Sequence, residues 1–173
     1  MDLVLKYQKL EEETLIGYSD ADWGGDADDR HSTTGNLFMM AEGAISWVSK
    51  KQAVVALSTS EAEYVALSLA TQEAVWLRRL LADLGAAPTK PTVLMEDNQG
   101  AIAIARNPVV HTRTKHIDIR YHYVREALHE GAIDLQYCPT SEMIADLLTK
   151  PLSRGQFERL RLDMGMDMLT ETP

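Results

Sequence analysis

Four carboxylates stand at positions where together they could hold a cation: Asp20, Glu63, Asp97 and Asp146. Asp20 closes an apolar run over 14–20, and Asp97 follows directly on a second, over 92–96. Glu63 lies in the first turns of a long helical pattern, and Asp146 in a helical pattern after the last strand-like segment. Ligands of open α/β sheets gather outside the carboxyl ends of the strands, so Asp20 and Asp97 meet if their strands are parallel neighbours. The helices then need only carry Glu63 and Asp146 to the same edge. Such a group suits phosphodiester hydrolysis, which needs an activated water and relief of charge on the leaving oxygen. Two magnesium ions about 3.5–4 Å apart supply both. Magnesium takes oxygen ligands and keeps several waters, so a few carboxylates plus phosphate oxygens suffice, and manganese can substitute.

Each acid also has a plainer reading. Asp20 could end its strand in a turn, and Asp22, two residues on and about 6.6 Å away along the same face, is its rival. Glu63 could complete a capping box with Ser60. Ser58 and Glu61 offer the same box, and if Ser58 is the cap, Glu63 is free to face the sheet edge. Asp97 could cap the helix that opens at Asn98, and Asp146 could be a solvated helix acid. Wide separation of the four, or a permanent basic partner for any of them, would defeat the cation reading.

The elements that must position them follow from periodicity. Segments 14–20, 36–40 and 44–49 read as strands, the last two joined by a hairpin at 41–43. A helix over 59–84 carries Leu69, Trp76, Leu77, Leu80, Leu81 and Leu84 as its apolar stripe, ended by Gly85 and Pro88. A strand over 92–96, helices over 98–106 and 116–130, a strand over 132–137 and helices over 142–149 and 155–164 complete the chain. The order β-β-β-α-β-α-α-β-α-α implies an α/β fold, a mixed sheet with helices packed on its faces. Trp23, Trp47 and Trp76 are expected in the core.

Composition narrows the function. The 173 residues suit one domain. Seventeen basic residues against 26 acidic ones give a net charge of −9, which argues against a simple nucleic-acid binder. A nuclease so charged would gather some carboxylates at metal ions and rely on a tethered partner for basic surface. Cys138 is the one cysteine, so no internal disulfide forms, as suits a reducing compartment. No apolar run approaches the roughly 20 residues that span a bilayer, and the first residues lack a signal-peptide pattern. His111, His116, His122 and His129 lack the tight spacing of a zinc site, and no zinc is expected.

Seven local stretches resemble the ribonuclease H domain of copia-type LTR retrotransposon Pol polyproteins. They are GYSDADW at 17–23, ISWVSKKQ at 45–52, ALSTSEAEY at 56–64, DNQGAI at 97–102, RTKHIDI at 113–119, YHYVRE at 121–126 and ADLLTKPL at 145–152. They occur in the family's order, which makes the resemblance far more specific than any one of them. It implies the ribonuclease H-like fold, a five-stranded mixed sheet flanked by helices on both faces, occupying 14–165. Residues 1–13 would be a connector from the preceding polymerase and 166–173 a C-terminal tail. It implies endonucleolytic cleavage of the RNA strand of RNA–DNA hybrids with two magnesium ions. Asp20 would lie between the ions, Asp97 and Asp146 on the water side and Glu63 on the leaving-group side.

Lys50, Lys51, Asn98, Gln99, Arg113, Lys115 and His116 are the expected substrate contacts, and a covalently linked reverse transcriptase the expected partner. The resemblance places the chain in cytoplasmic virus-like particles, or in the nucleus. One departure is that 138–145 lacks the histidine that many cellular ribonucleases H carry before their last acid. Three other functions compete, one of them a host gene that has repurposed the domain for protein binding. A catalytically weak domain could serve as a structural or interaction module. An integrase-like enzyme would share the fold, but would close with a late glutamate where this chain has Asp146.

Overall fold

The computed structural model describes residues 2–9, 14–107 and 115–169; within the last of these, the side chains of 115–118 and 121 are not described. The sheet has five strands: β2 (Ile16–Asp22), β3 (Thr33–Met40), β4 (Gly43–Lys51), β5 (Thr92–Glu96) and β6 (Ile133–Tyr137). Their order is β4-β3-β2-β5-β6. β4, β3 and β2 form an antiparallel meander, and β2, β5 and β6 run parallel. The expected mixed sheet is therefore present. The β3–β4 turn is Ala41-Glu42, both at positive φ (54° and 62°), the twist a two-residue hairpin demands.

Successive strand residues face opposite sides, and each side is covered. Phe38 joins Leu94, Ile133 and Leu135 in the larger core, under α1 (Thr59–Asp83), α2 (Gln99–Arg106) and α3 (Lys115–His129). Leu37 joins Ile144 and Leu160 in a second core, under a 3₁₀ turn at Ile144–Leu148 and α4 (Arg154–Asp163). Helices thus flank both faces.

Ser58 caps α1 by accepting from the Glu61 amide at 3.2 Å, and Glu61 accepts from the Leu57 amide at 2.8 Å. The helix buries a different face from the leucine stripe read in the sequence. Ala62, Ala66, Ala70 and Ala74, four apart and fully buried, let the axis lie close on the sheet. Of the stripe, Leu77 is buried, but Trp76, Leu80 and Leu84 are exposed. Trp23 and Trp47 are also about half exposed rather than core, because β4 is an edge strand and Trp23 sits just beyond β2.

Two more expectations are corrected. The helix read over 142–149 is a pair of 3₁₀ turns, Thr140–Glu142 and Ile144–Leu148. Residues 166–168, read as tail, form β7 (Met166–Met168), which pairs antiparallel with β1 (Leu3–Leu5), inside the segment read as connector. Neither three-residue strand is long enough to show a period of two.

Candidate metal centre

The register of the parallel strands creates the pocket. Pairing between β2 and β5 ends at Ser19↔Glu96, one residue before Asp20 and Asp97. Past that point β2 and β5 no longer pair, and Asp97 follows directly on the end of β5. Glu63 comes from the second turn of α1, which is free because Ser58, not Ser60, is the cap. Ser60 instead donates to Asn98 Oδ1 at 3.1 Å, and Asn98 caps α2 by accepting from the Ala101 amide. The starts of α1 and α2 are thereby tied together, and Asp97 is relieved of capping. Asp97 accepts from Thr140 Oγ1 at 2.7 Å, in the loop that lacks histidine. The rival Asp22 accepts from the Thr33 amide and closes the β2–β3 ladder.

Asp20, Glu63 and Asp97 converge. Each offers an oxygen, and these oxygens lie within 4.8 Å of one another. Asp146 lies outside that group but beside Asp20, and the two share a lysine. Lys150 Nζ is 2.9 Å from Asp146 Oδ1 and 3.2 Å from Asp20 Oδ1. The other Asp20 oxygen accepts from Thr149 Oγ1. A glycine makes this possible. Gly35 is the cross-strand partner of Asp20, and a Cβ there would stand 2.7 Å from Thr149 Cγ2 and 2.9 Å from the Ala145 carbonyl oxygen. Only a residue without a side chain lets the Ile144–Leu148 turn settle onto the sheet above Asp20.

Gly35, Thr140, Thr149, Lys150 and the fully buried Glu96 are the site residues that the sequence reading passed over. A glycine inside a strand signals a close approach of this kind. Lys150 lay in view within the ADLLTKPL stretch, four residues after Asp146.

So many buried carboxylates with one base between them raise each other's affinity for protons. Burial pushes Asp20 up to about 6, against the pull of the Thr149 hydrogen bond and of Lys150. Burial, with Asp20 and Asp97 nearby, pushes Glu63 up to about 9. Glu96 is held well above the carboxylate range by burial and by Glu63. Burial also raises Asp146, while Lys150 draws it down. Burial lifts the Cys138 thiol to about 11, which makes it a poor nucleophile.

The expected substrate contacts are scattered. Lys50 is exposed on β4, level with Thr34 and, through it, with Ala21. That puts its backbone two strands, or about 10 Å, from β2. Lys51 is held by Asp26 and Asp29, each at 2.6 Å. Asn98 serves as the α2 cap, and Gln99 is exposed beside it. Arg113 lies outside the described residues, and Lys115 and His116 are described only as backbone of α3.

No family model matches the chain. It is 47% identical over 152 residues to the retrovirus-related Pol polyprotein from transposon TNT 1-94 of Nicotiana tabacum, covering 88% of this chain and 11% of that one. To the polyprotein from transposon RE1 of Arabidopsis thaliana it is 43% identical over 153 residues, covering 88% and 10%. The chain thus spans about a tenth of the length of these curated relatives. Among solved structures, LC11-RNase H1, isolated from compost by a metagenomic approach, matches with TM-score 0.59 at 15% identity, over 80% of this chain and 94% of that one. The foamy viral protease–reverse transcriptase in complex with RNA/DNA hybrid matches with TM-score 0.53 at 15% identity, over 88% and 22%.

Proposed function

We propose that this chain, which has the ribonuclease H fold and is related to a segment of copia-type Pol polyproteins, hydrolyses the RNA strand of RNA–DNA hybrids during retrotransposon reverse transcription. One observation carries the reading: the oxygens of Asp20, Glu63 and Asp97 within 4.8 Å of one another at the end of two parallel strands.

The residues fit divalent cations. Buried carboxylates without counter-charge are costly, and Glu63 Oε2 is buried with no hydrogen-bond partner among the described residues. Asp20, Glu63 and Asp97 would hold one ion, and Asp20 with Asp146 a second. Magnesium or manganese, when bound, supplies charge stabilisation at the phosphate and a nucleophilic water at neutral pH.

The rest is done by the chain. Thr149 fixes one oxygen of Asp20, Thr140 fixes Asp97, and the Ser60–Asn98 bond fixes the helix starts that carry Glu63 and Asn98. Ligands so held need little reorganisation when substrate arrives. With a net charge of −9, the chain relies on a linked reverse transcriptase for much of its grip on the hybrid. Lys50 and Gln99 are the exposed groups placed to contribute, and cytoplasmic particles or the nucleus the places of action.

A second reading, a catalytically weak interaction module, draws on the ion pairs that Lys150 makes with Asp20 and Asp146. The lysine side chain keeps 32% of its surface exposed, so it has a route out. Cleavage of a labelled hybrid with magnesium, before and after Asp97→Asn, separates the two. Loss of a ligand should cost several kcal/mol of transition-state stabilisation, roughly 100-fold or more in rate. Equal residual activity would remove Asp97 from the centre. A folded wild-type chain that cleaves nothing would favour the module.

A further inference from the structure

The two halves of the pocket differ in what neutralises them. Asp20, Glu63 and Asp97 face one another, and among the described residues only Asp20, which both halves share, is ion-paired with a base. Between Asp20 and Asp146, by contrast, sits the Lys150 ammonium, at 3.2 and 2.9 Å. The lysine stands four residues after Asp146, on the far side of the same 3₁₀ turn, so the geometry comes from the local chain. We propose that Lys150 is a built-in cation that fills the Asp20–Asp146 half of the pocket in the metal-free protein, and that a divalent ion entering there must displace it. The two ions then load in order, the Asp20–Glu63–Asp97 half first. This inference rests on the metal-centre reading above.

Three features suit the lysine to the part. Asp20 and Asp146 are almost fully buried and would repel each other if left bare. An ammonium is a compact charge on a flexible stem, able to withdraw without moving the backbone. The partly exposed side chain can release it to water. Thr149 meanwhile keeps the other Asp20 oxygen in place, so the carboxylate stays aimed when the lysine leaves. An ion that must first break two close ion pairs binds more weakly, by roughly tenfold or more.

The test counts bound Mn2+ by electron paramagnetic resonance, with thermal melting in chelator alongside, for wild type, Lys150→Met, Lys150→Arg and Asp20→Asn. Wild type should take up one ion and then a weaker second. Lys150→Met should bind the second about tenfold more tightly and melt earlier without metal. Lys150→Arg, which keeps the charge, should leave the second ion weak. If Lys150→Met does not fold in chelator, Lys150→Gln, which leaves a neutral donor between the carboxylates, gives the same comparison. A second ion bound no more tightly by the uncharged variants overturns the proposal. If Asp20→Asn abolishes Mn2+ binding while those variants change nothing, only the role of the lysine fails. If Asp20→Asn binds Mn2+ as wild type does, the metal centre itself fails.

Discussion

Replacing Asp20 with asparagine should stabilise the metal-free protein at neutral pH and blunt its response to magnesium. The Asp20 carboxyl is pushed from 3.8 to about 6, so the folded state holds its proton more tightly than the unfolded state. The stability this confers is present below the ordinary value and lost as pH rises through about 6, a loss of about 3 kcal/mol. Asparagine never charges and escapes the loss. It has a cost of its own, because Asp20 accepts from Thr149 and is ion-paired with Lys150, and an amide turns an N–H toward one of them. That mismatch offsets about 1–2 kcal/mol. The net gain of about 1–2 kcal/mol should raise Tm by roughly 2–8 °C in a domain of this size. The ranking should reverse near pH 4, where only the mismatch remains. Magnesium should then raise the Tm of wild type far more than that of the variant. Circular dichroism melts in chelator and in magnesium, across that pH range, measure all of this. An Asn variant that melts below wild type at neutral pH in chelator would mean that Lys150 and Thr149 outweigh burial, and the argument would be refuted.

Three other outcomes follow from the same geometry. Gly35→Ala should push the Ile144–Leu148 turn off the sheet, costing about 1–3 kcal/mol in urea unfolding and lowering hybrid cleavage; an unchanged midpoint would count against the close approach. Ser58→Ala removes the α1 cap and should cost about 1 kcal/mol without touching the carboxylates, so stability should drop while cleavage at low temperature persists. Glu63, pushed up to about 9, is protonated at neutral pH in the metal-free protein, so a bound cation must expel that proton. Cation affinity should therefore climb as pH rises toward about 9, and calorimetry in buffers of different ionisation enthalpy should show proton release; binding without release would contradict it.

Much of this architecture is written locally. Strand alternation, the Gly85 and Pro88 stop and the Ser58–Glu61 box mark elements whose partners lie a few residues away, and the sheet class followed from their order. The α1 face was misread because hydropathy weights leucine above alanine, whereas Ala62, Ala66, Ala70 and Ala74 are the residues that permit close packing on the sheet. β1 and β7 escaped notice since three residues carry no period and their pairing spans nearly the whole chain. Asp20 and Asp97 could be anticipated from strand ends alone. The part played by Gly35, Thr140 and Lys150 could not, because it depends on which turn lies over which strand.

The termination of β2–β5 pairing at Ser19↔Glu96 also bears on how fast the molecule opens and closes. Those parallel neighbours are joined only through the β3–β4 hairpin and the whole of α1, a long loop whose closure entropy must be met before the pairing repays it. Repulsion among the carboxylates is felt only once the strand ends lie side by side. Groups that act so late govern escape from the native state rather than arrival at it. A divalent ion held in this pocket should therefore lengthen the lifetime of the folded domain while leaving its refolding rate nearly unchanged, as unfolding and refolding rates with and without magnesium would show.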